Sequence, residues 1–133
     1  MEAIERVYQF LDEAHAYALA TTVGDQPRVR VFGTSLLYDG KLYIQTGKKK
    51  RGSQQIAENP KVELLAWKGM EWVRVCGELA EDDRREVKTA MLEKMPNLRA
   101  MYNEDDGNMQ MLYFKNAEAT FYSFTAPPEV IEL

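Results

Sequence analysis

The sequence predicts a mostly β protein, an antiparallel β-barrel of about six to seven strands with helices at its periphery. Short runs rich in β-branched and aromatic residues, several alternating with a period of two, recur from Ala16 to Phe124. Tight-turn chemistry such as Asp39-Gly40 joins neighbouring runs as hairpins, which makes the sheet antiparallel. That many strands favours closure, because a barrel removes the unpaired edges of an open sheet.

The segment from Glu2 to Ala14 reads as a helix, with Ile4, Val7, Tyr8 and Leu11 at helical spacing among acidic residues. Ala16 to Val23 turns strand-like, and Gly24-Asp25-Gln26-Pro27 marks a turn. Arg28-Val29-Arg30-Val31 then alternates polar and apolar residues, the pattern of a half-buried strand expected to run on to Tyr38. Asp39-Gly40 turns the chain into a strand from Lys41 to Thr46. Gly52 to Glu58 predicts a short helix that stops before Asn59-Pro60, since the residue before a proline avoids helical geometry. Val62 to Trp67 and Trp72 to Leu79 form the next strand pair around Lys68-Gly69-Met70. From Glu81 to Lys94 the apolar spacing of Val87, Met91 and Met95 is helical, and Pro96 interrupts it. After a polar loop from Asn103 to Asn108, Met111 to Phe114 and Ala119 to Phe124 read as the last two strands. Pro127 to Leu133 is a tail too short for a domain of its own, and residues 1–133 make a single domain.

Composition narrows the function. The net charge of −4 argues against a dedicated nucleic-acid binder, because phosphate backbones select basic surfaces. No apolar run has the length of a membrane span, and the mixed charges of Met1 to Arg6 lack the order of a signal peptide. Cys76 is the only cysteine, which suits a reducing compartment and, with the rest, a cytoplasmic protein. His15 is the only histidine, so a Ser-His-Asp triad or a multi-histidine metal centre has no basis; at a helix-to-strand junction it reads as structural. Cys76, on an apolar strand, reads as a buried inert thiol. The acidic loop from Asn103 to Met109 fails the calcium-loop pattern and reads as solvated. No metal site is expected.

One feature of this acidic chain is unexpected for its charge. Lys48-Lys49-Lys50-Arg51 sets four cations in a row between the end of a strand and the start of a helix. Backbone N–H groups at a helix N-terminus with Lys or Arg nearby bind phosphate well, and Thr46 adds a hydroxyl. Gly47 allows a sharp turn. By itself such a run is also an ordinary solvated turn.

The order of pieces is more specific. DQPRVRVFG, then DGKLYIQTGKKKRGSQQIAENPKVELLAW, then WVRVCG resembles the FMN-binding split barrels related to pyridoxamine 5′-phosphate oxidase, from about Ala16 to Gly77, with a weaker echo in NAEATFYSF. The resemblance implies a split barrel that holds FMN between two protomers of a homodimer. It implies that Arg28, Val29, Arg30 and Val31 flank the flavin ring, with Arg30 reaching ribityl or phosphate. Gln45 and Thr46 fall where the family contacts ribityl and phosphate. Lys50 and Arg51 fall on its phosphate-binding cations, Lys50 before Arg51, and Gln55 touches the cofactor less directly.

The departures matter as well. The vitamin-converting oxidases carry an Arg-x-His-like segment near their end, which has no counterpart in Pro127 to Leu133. The chain looks more like the short general-stress-type members. Two function classes stay open: a flavin oxidoreductase that takes electrons from a nicotinamide donor and passes them to a small molecule, and a flavin-binding sensor, carrier or store. No catalytic residue stands out. Haem as an alternative ligand would need an axial histidine, for which only His15 is available. Trp67, Trp72, Tyr113 and Phe124 could stack on a ring but read mainly as core or dimer contacts. The methionines at 91, 95, 101, 109 and 111 could line a soft pocket but read mainly as core filler.

Overall fold

A computed structural model describes residues 1–133. Helix α1 (Ala3–Ala14) buries Val7, Phe10 and Leu11 and stops at His15, whose positive φ of 69° ends the helical run. Strands β1 (Tyr17–Val23), β2 (Gln26–Phe32), β3 (Leu36–Tyr38) and β4 (Lys41–Gly47) follow. Helix α2 (Arg51–Glu58) separates them from β5 (Lys61–Lys68) and β6 (Glu71–Glu81). Helix α3 (Arg85–Lys94) and a 3₁₀ turn (Pro96–Ala100) precede β7 (Met109–Ser123) and β8 (Glu129–Glu132). The hairpin between β3 and β4 turns on Asp39 and Gly40, both with positive φ, in the two-residue geometry that matches strand twist.

All eight strands belong to one antiparallel sheet, in the order β2-β1-β5-β6-β7-β4-β3 with β8 beside β7. This is the split-barrel expectation with one strand more than the upper estimate. Leu19, Ile44, Leu64, Val73, Val75, Leu112 and Ala119 fill the inside, and Ile56 of α2 and Leu11 of α1 cap it. A second cluster lies outside β4 and β7, where Val87, Met91 and Leu92 of α3 cover Tyr43, Met109 and Met111.

The two ends of the sheet meet through side chains. The single strand expected from Arg28 to Tyr38 is broken, because Gly33 to Ser35 leave the ladder between β2 and β3. Thr34 stitches the gap: its hydroxyl accepts from the Gln45 N–H at 2.9 Å, and its carbonyl accepts from the buried Tyr17 hydroxyl at 2.7 Å. This break is the split in the barrel.

Four further expectations are corrected. Met111 to Phe114 and Ala119 to Phe124 are parts of one long strand. Between them Lys115 and Asn116 form a bulge, with Asn116 at φ 51° opposite Gly77. A Cβ on Gly77 would lie 2.7 Å from that of Ala117, so glycine permits the bulge to pack. The expected helix from Glu81 begins only at Arg85, since Glu81 still pairs with Leu112. The tail supplies β8. Cys76 points to the outer face and is exposed, although burial and the carboxylates of Glu63 and Glu118 push its thiol pKa up and keep it a poor nucleophile.

The loops carry their charges to structural ends. Arg84 grips Asp82 with two nitrogens at 3.0 and 2.9 Å, and the Tyr43 hydroxyl donates to the same carboxylate at 2.6 Å. The Arg84 guanidinium holds the Asp82 carboxyl well below the usual range, while burial and Asp82 push Tyr43 up to about 12. In the acidic loop, Asp106 accepts from the N–H groups of Asn103, Asn108 and Met109, so the loop is folded around its own carboxylate. No helix is long and apolar enough to cross a membrane.

Candidate functional site

A cleft of about 400 Å³ opens where the barrel is split. Its walls are the end of β2 with Gly33 and Thr34, the end of β4, the start of α2, and the 3₁₀ turn. Of the residues expected at a ligand site, Arg30, Val31, Gln45, Thr46 and Lys50 line it together, although Arg30 and Lys50 lie twenty positions apart in sequence. Gln55 stands behind them, its side-chain oxygen accepting from Arg30 at 2.6 Å and from the Thr21 hydroxyl at 2.7 Å. Arg30 also donates to the Thr21 hydroxyl at 2.9 Å, so its guanidinium is held by β1 and α2 at once. Burial lowers the Arg30 pKa without threatening its charge. Gly52 lies against that guanidinium, where a Cβ would stand 3.5 Å from Nε.

Arg28, Val29 and Arg51 do not line the cleft. All three are exposed, Arg28 and Val29 on β2 nearer its hairpin and Arg51 on the first turn of α2.

The basic quartet divides its work. Lys48 turns away to Glu81 at 3.3 Å and Asp83 at 4.0 Å. The Lys49 backbone N–H donates to Asn108, while Lys50 and Arg51 have no carboxylate partner. The first bond into α2 runs from Gln54 N–H to the Lys50 carbonyl, so the N–H groups of Arg51, Gly52 and Ser53 precede the helical ladder, and no side chain caps them. The sharp turn expected at Gly47 is present, closed by the Lys50 N–H donating to the Gly47 carbonyl at 3.0 Å, but without a positive φ; glycine is needed because a Cβ would lie 3.0 Å from the Tyr102 hydroxyl.

The other wall was not legible in any motif. Met95, Asn97, Leu98, Met101 and Tyr102 bring an apolar surface over the cleft from the segment after α3. The methionines thus split: Met91, Met109 and Met111 are fully buried core, while Met95 and Met101 face the ligand space. None of Trp67, Trp72, Tyr113 and Phe124 lines it, and Trp72 instead stacks on Tyr122 with centroids 5.3 Å apart. His15 lines a separate small cavity with Asp12, Ser35 and Lys94.

Among the cleft residues there is no Asp, Glu, His or Cys. Two cations, an uncapped helix start and no opposing carboxylate favour an anionic ligand, and the apolar wall favours a flat apolar body attached to it. A larger groove of about 590 Å³ beside α1 lacks this asymmetry, since its Arg6 and Lys68 are already paired with Glu129 and Glu13.

Residues 3–123 match the family model of pyridoxamine 5′-phosphate oxidase. The chain belongs to the pyridoxamine 5′-phosphate oxidase family. Among solved structures, a NimC/NimA family protein from Clostridium acetobutylicum is 45% identical, with a TM-score of 0.95 over 100% of this chain and 95% of that one. Two more distant members of the fold carry different ligands in their names. One is a pyridoxamine 5′-phosphate oxidase-related, FMN-binding protein from Nostoc punctiforme, at 14% identity and TM-score 0.71 over 98% of this chain and 94% of that one. The other is a haem-binding protein from Mycobacterium smegmatis, at 12% identity and TM-score 0.77 over 99% of this chain and 58% of that one. A search of curated proteins finds no match. The oxidase-family fold is therefore plain, and the choice between ligands rests on the cleft of this family member.

Proposed function

We propose that this protein binds FMN in the split of its barrel and acts as a flavin-dependent oxidoreductase on a small molecule, with electrons from a nicotinamide donor. The observation that carries the reading is the cleft that joins Arg30, Thr46 and Lys50 to the uncapped start of α2 without a single carboxylate. A dianionic phosphate is stabilised by such a group of donors. Haem suits the same space less well, because the cleft offers neither histidine nor cysteine as an axial ligand, and its methionines belong to the far wall.

FMN, when bound, supplies the electron transfer itself. The chain's own residues have narrower tasks. Lys50 and Arg30 neutralise the phosphate end. Gln55 and Thr21 keep the Arg30 guanidinium in one orientation. Val31, Met95, Leu98 and Met101 exclude water from the ring. The cleft contains no obvious acid–base pair, in keeping with chemistry that resides in the cofactor. The lone thiol Cys76 suits a cytoplasmic setting.

The reading includes a second copy of the chain. Val29 and Val31 are 69% and 73% exposed, and Trp67 is 54% exposed. Cross-strand pairing puts Val31, Ala18 and Leu65 on one outer sheet face, and Val29 with Ala20 beside them. Val31 also lines the cleft, so a copy seated on this face would close the ligand site as well as cover the patch. Val31→Glu is expected to shift the protein from dimer to monomer in sedimentation velocity and to loosen bound flavin together with it. A dimer that survives Val31→Glu and the companion Trp67→Glu would exclude this face as the interface.

An absorbance spectrum of purified protein, reconstituted with FMN and freed of excess, tests the main reading. A retained yellow chromophore that bleaches with NADH or NADPH is expected. Retained flavin that no nicotinamide reduces would favour a sensor, carrier or store, and absence of retained flavin would remove FMN.

A further inference from the structure

Tyr102 is 5% exposed and sits in the outer core cluster with Val87, Met91, Leu92, Met109 and Met111. Apolar neighbours of this kind call for a phenylalanine. The hydroxyl makes no hydrogen bond within the protein and stays reachable from the cleft, which the residue lines beside Thr46 and Lys50. A largely buried phenol whose one polar atom opens onto a ligand cleft without a protein partner is placed to bond what the cleft receives. The surroundings hold the oxygen in place. Gly47 follows Thr46 at the end of β4, and a side chain there would begin 3.0 Å from the Tyr102 oxygen and 3.2 Å from the amide nitrogen of Asn108. The missing Cβ is what lets the phenol reach the strand end where the chain turns toward α2.

Thr46 has the same character. It is 3% exposed, its hydroxyl has no partner in the protein, and it lines the same cleft. Two hydroxyls with no protein partner therefore open onto the cleft at the end of β4, next to the uncapped N–H groups of α2 and the unpaired Lys50. Each can donate to an oxygen anion, and none of these groups brings a competing negative charge.

We infer that Tyr102, from the loop after the 3₁₀ turn, is a ligand-binding residue that donates its hydroxyl hydrogen to the phosphate end of the bound flavin, beside Thr46 and Lys50. This rests on the FMN reading and extends it to a segment that carries no recognisable motif. It also gives the segment from Met95 to Tyr102 two functions, an apolar wall for the ring and a polar contact for the phosphate.

The test is Tyr102→Phe in the full chain, titrated with FMN and separately with riboflavin, which has the same ring and ribityl chain but no phosphate. Loss of one hydrogen bond to a charged oxygen is expected to weaken FMN binding about tenfold. Riboflavin affinity should stay within about twofold, and the apoprotein should melt at about the parent's temperature, because the hydroxyl makes no bond within the protein. Equal weakening of both ligands would place the hydroxyl on the ribityl or ring and overturn the phosphate assignment. Unchanged FMN affinity in the variant, with tight FMN binding by the parent, would remove Tyr102 from the site and leave the FMN reading standing. A parent protein that binds neither flavin would overturn both.

Discussion

Charge reversal at Lys50 combined with Arg30→Ala should weaken FMN binding by at least about a hundredfold while leaving a folded protein. Hydrogen bonds to charged groups contribute roughly 1.5–3 kcal/mol each, so losing two corresponds to about two or more powers of ten. Reversal at Lys50 adds repulsion of the phosphate. The fold should tolerate it because Lys50 is exposed and has no ion-pair partner, and Thr21 still bonds Gln55 once Arg30 is gone. Isothermal titration with FMN reads the affinity, and far-ultraviolet circular dichroism reads the fold. Undiminished affinity in the folded double variant would move the phosphate away from the start of α2.

The opposite pattern is expected of Leu64→Ala. Leu64 is fully buried at the centre of the barrel, packed among Leu19, Val73 and Val75. Truncation of such a leucine leaves a cavity and costs about 3 kcal/mol. For a chain of this length that is a fall in Tm of roughly 10 °C. The cleft lies at the split in the sheet, lined by residues other than Leu64, so FMN affinity should change by less than about twofold. Saturating FMN then stabilises Leu64→Ala as much as it does the parent, by about 2.7 kcal/mol at a hundredfold excess over Kd. The Lys50 and Arg30 double variant should show almost no such rise. Differential scanning fluorimetry with and without FMN separates the two variants. A large affinity loss in Leu64→Ala would mean that the site depends on the barrel interior more closely than its lining suggests.

The paired NADH and NADPH bleaching, the Val31→Glu dimer test and the Tyr102→Phe titration probe separate properties of the site. Bleaching reports chemistry. Val31→Glu reports assembly, and Tyr102→Phe reports one contact.

Local chemistry by itself determined much of this protein. Asp39-Gly40 and Gly69 set hairpins that the structure reproduces, because positive φ is a property of those residues before any tertiary contact forms. The helical spacing of Val7 and Leu11, and the halt before Asn59-Pro60, were equally local. Arg30, Thr46 and Lys50 were legible as ligand candidates because cations and a hydroxyl at a strand-to-helix junction carry their chemistry in one short stretch. What only the tertiary structure decided were relations between distant segments. Met111 to Phe114 and Ala119 to Phe124 read as two strands, and only Gly77, on another strand, shows the break between them to be a bulge in one. Lys48 and Lys50 are equivalent as letters, but Glu81 and Asp83 claim the first and leave the second free. Cys76 lies on an apolar strand, yet pairing turns it to the outer face. Tyr102 became visible only when the missing Cβ of Gly47 placed a phenol oxygen beside the strand end. Turn and helix signals depend on one residue and its neighbours, whereas exposure, ion pairing and an orphan hydroxyl depend on which remote side chain arrives, and that is settled by packing.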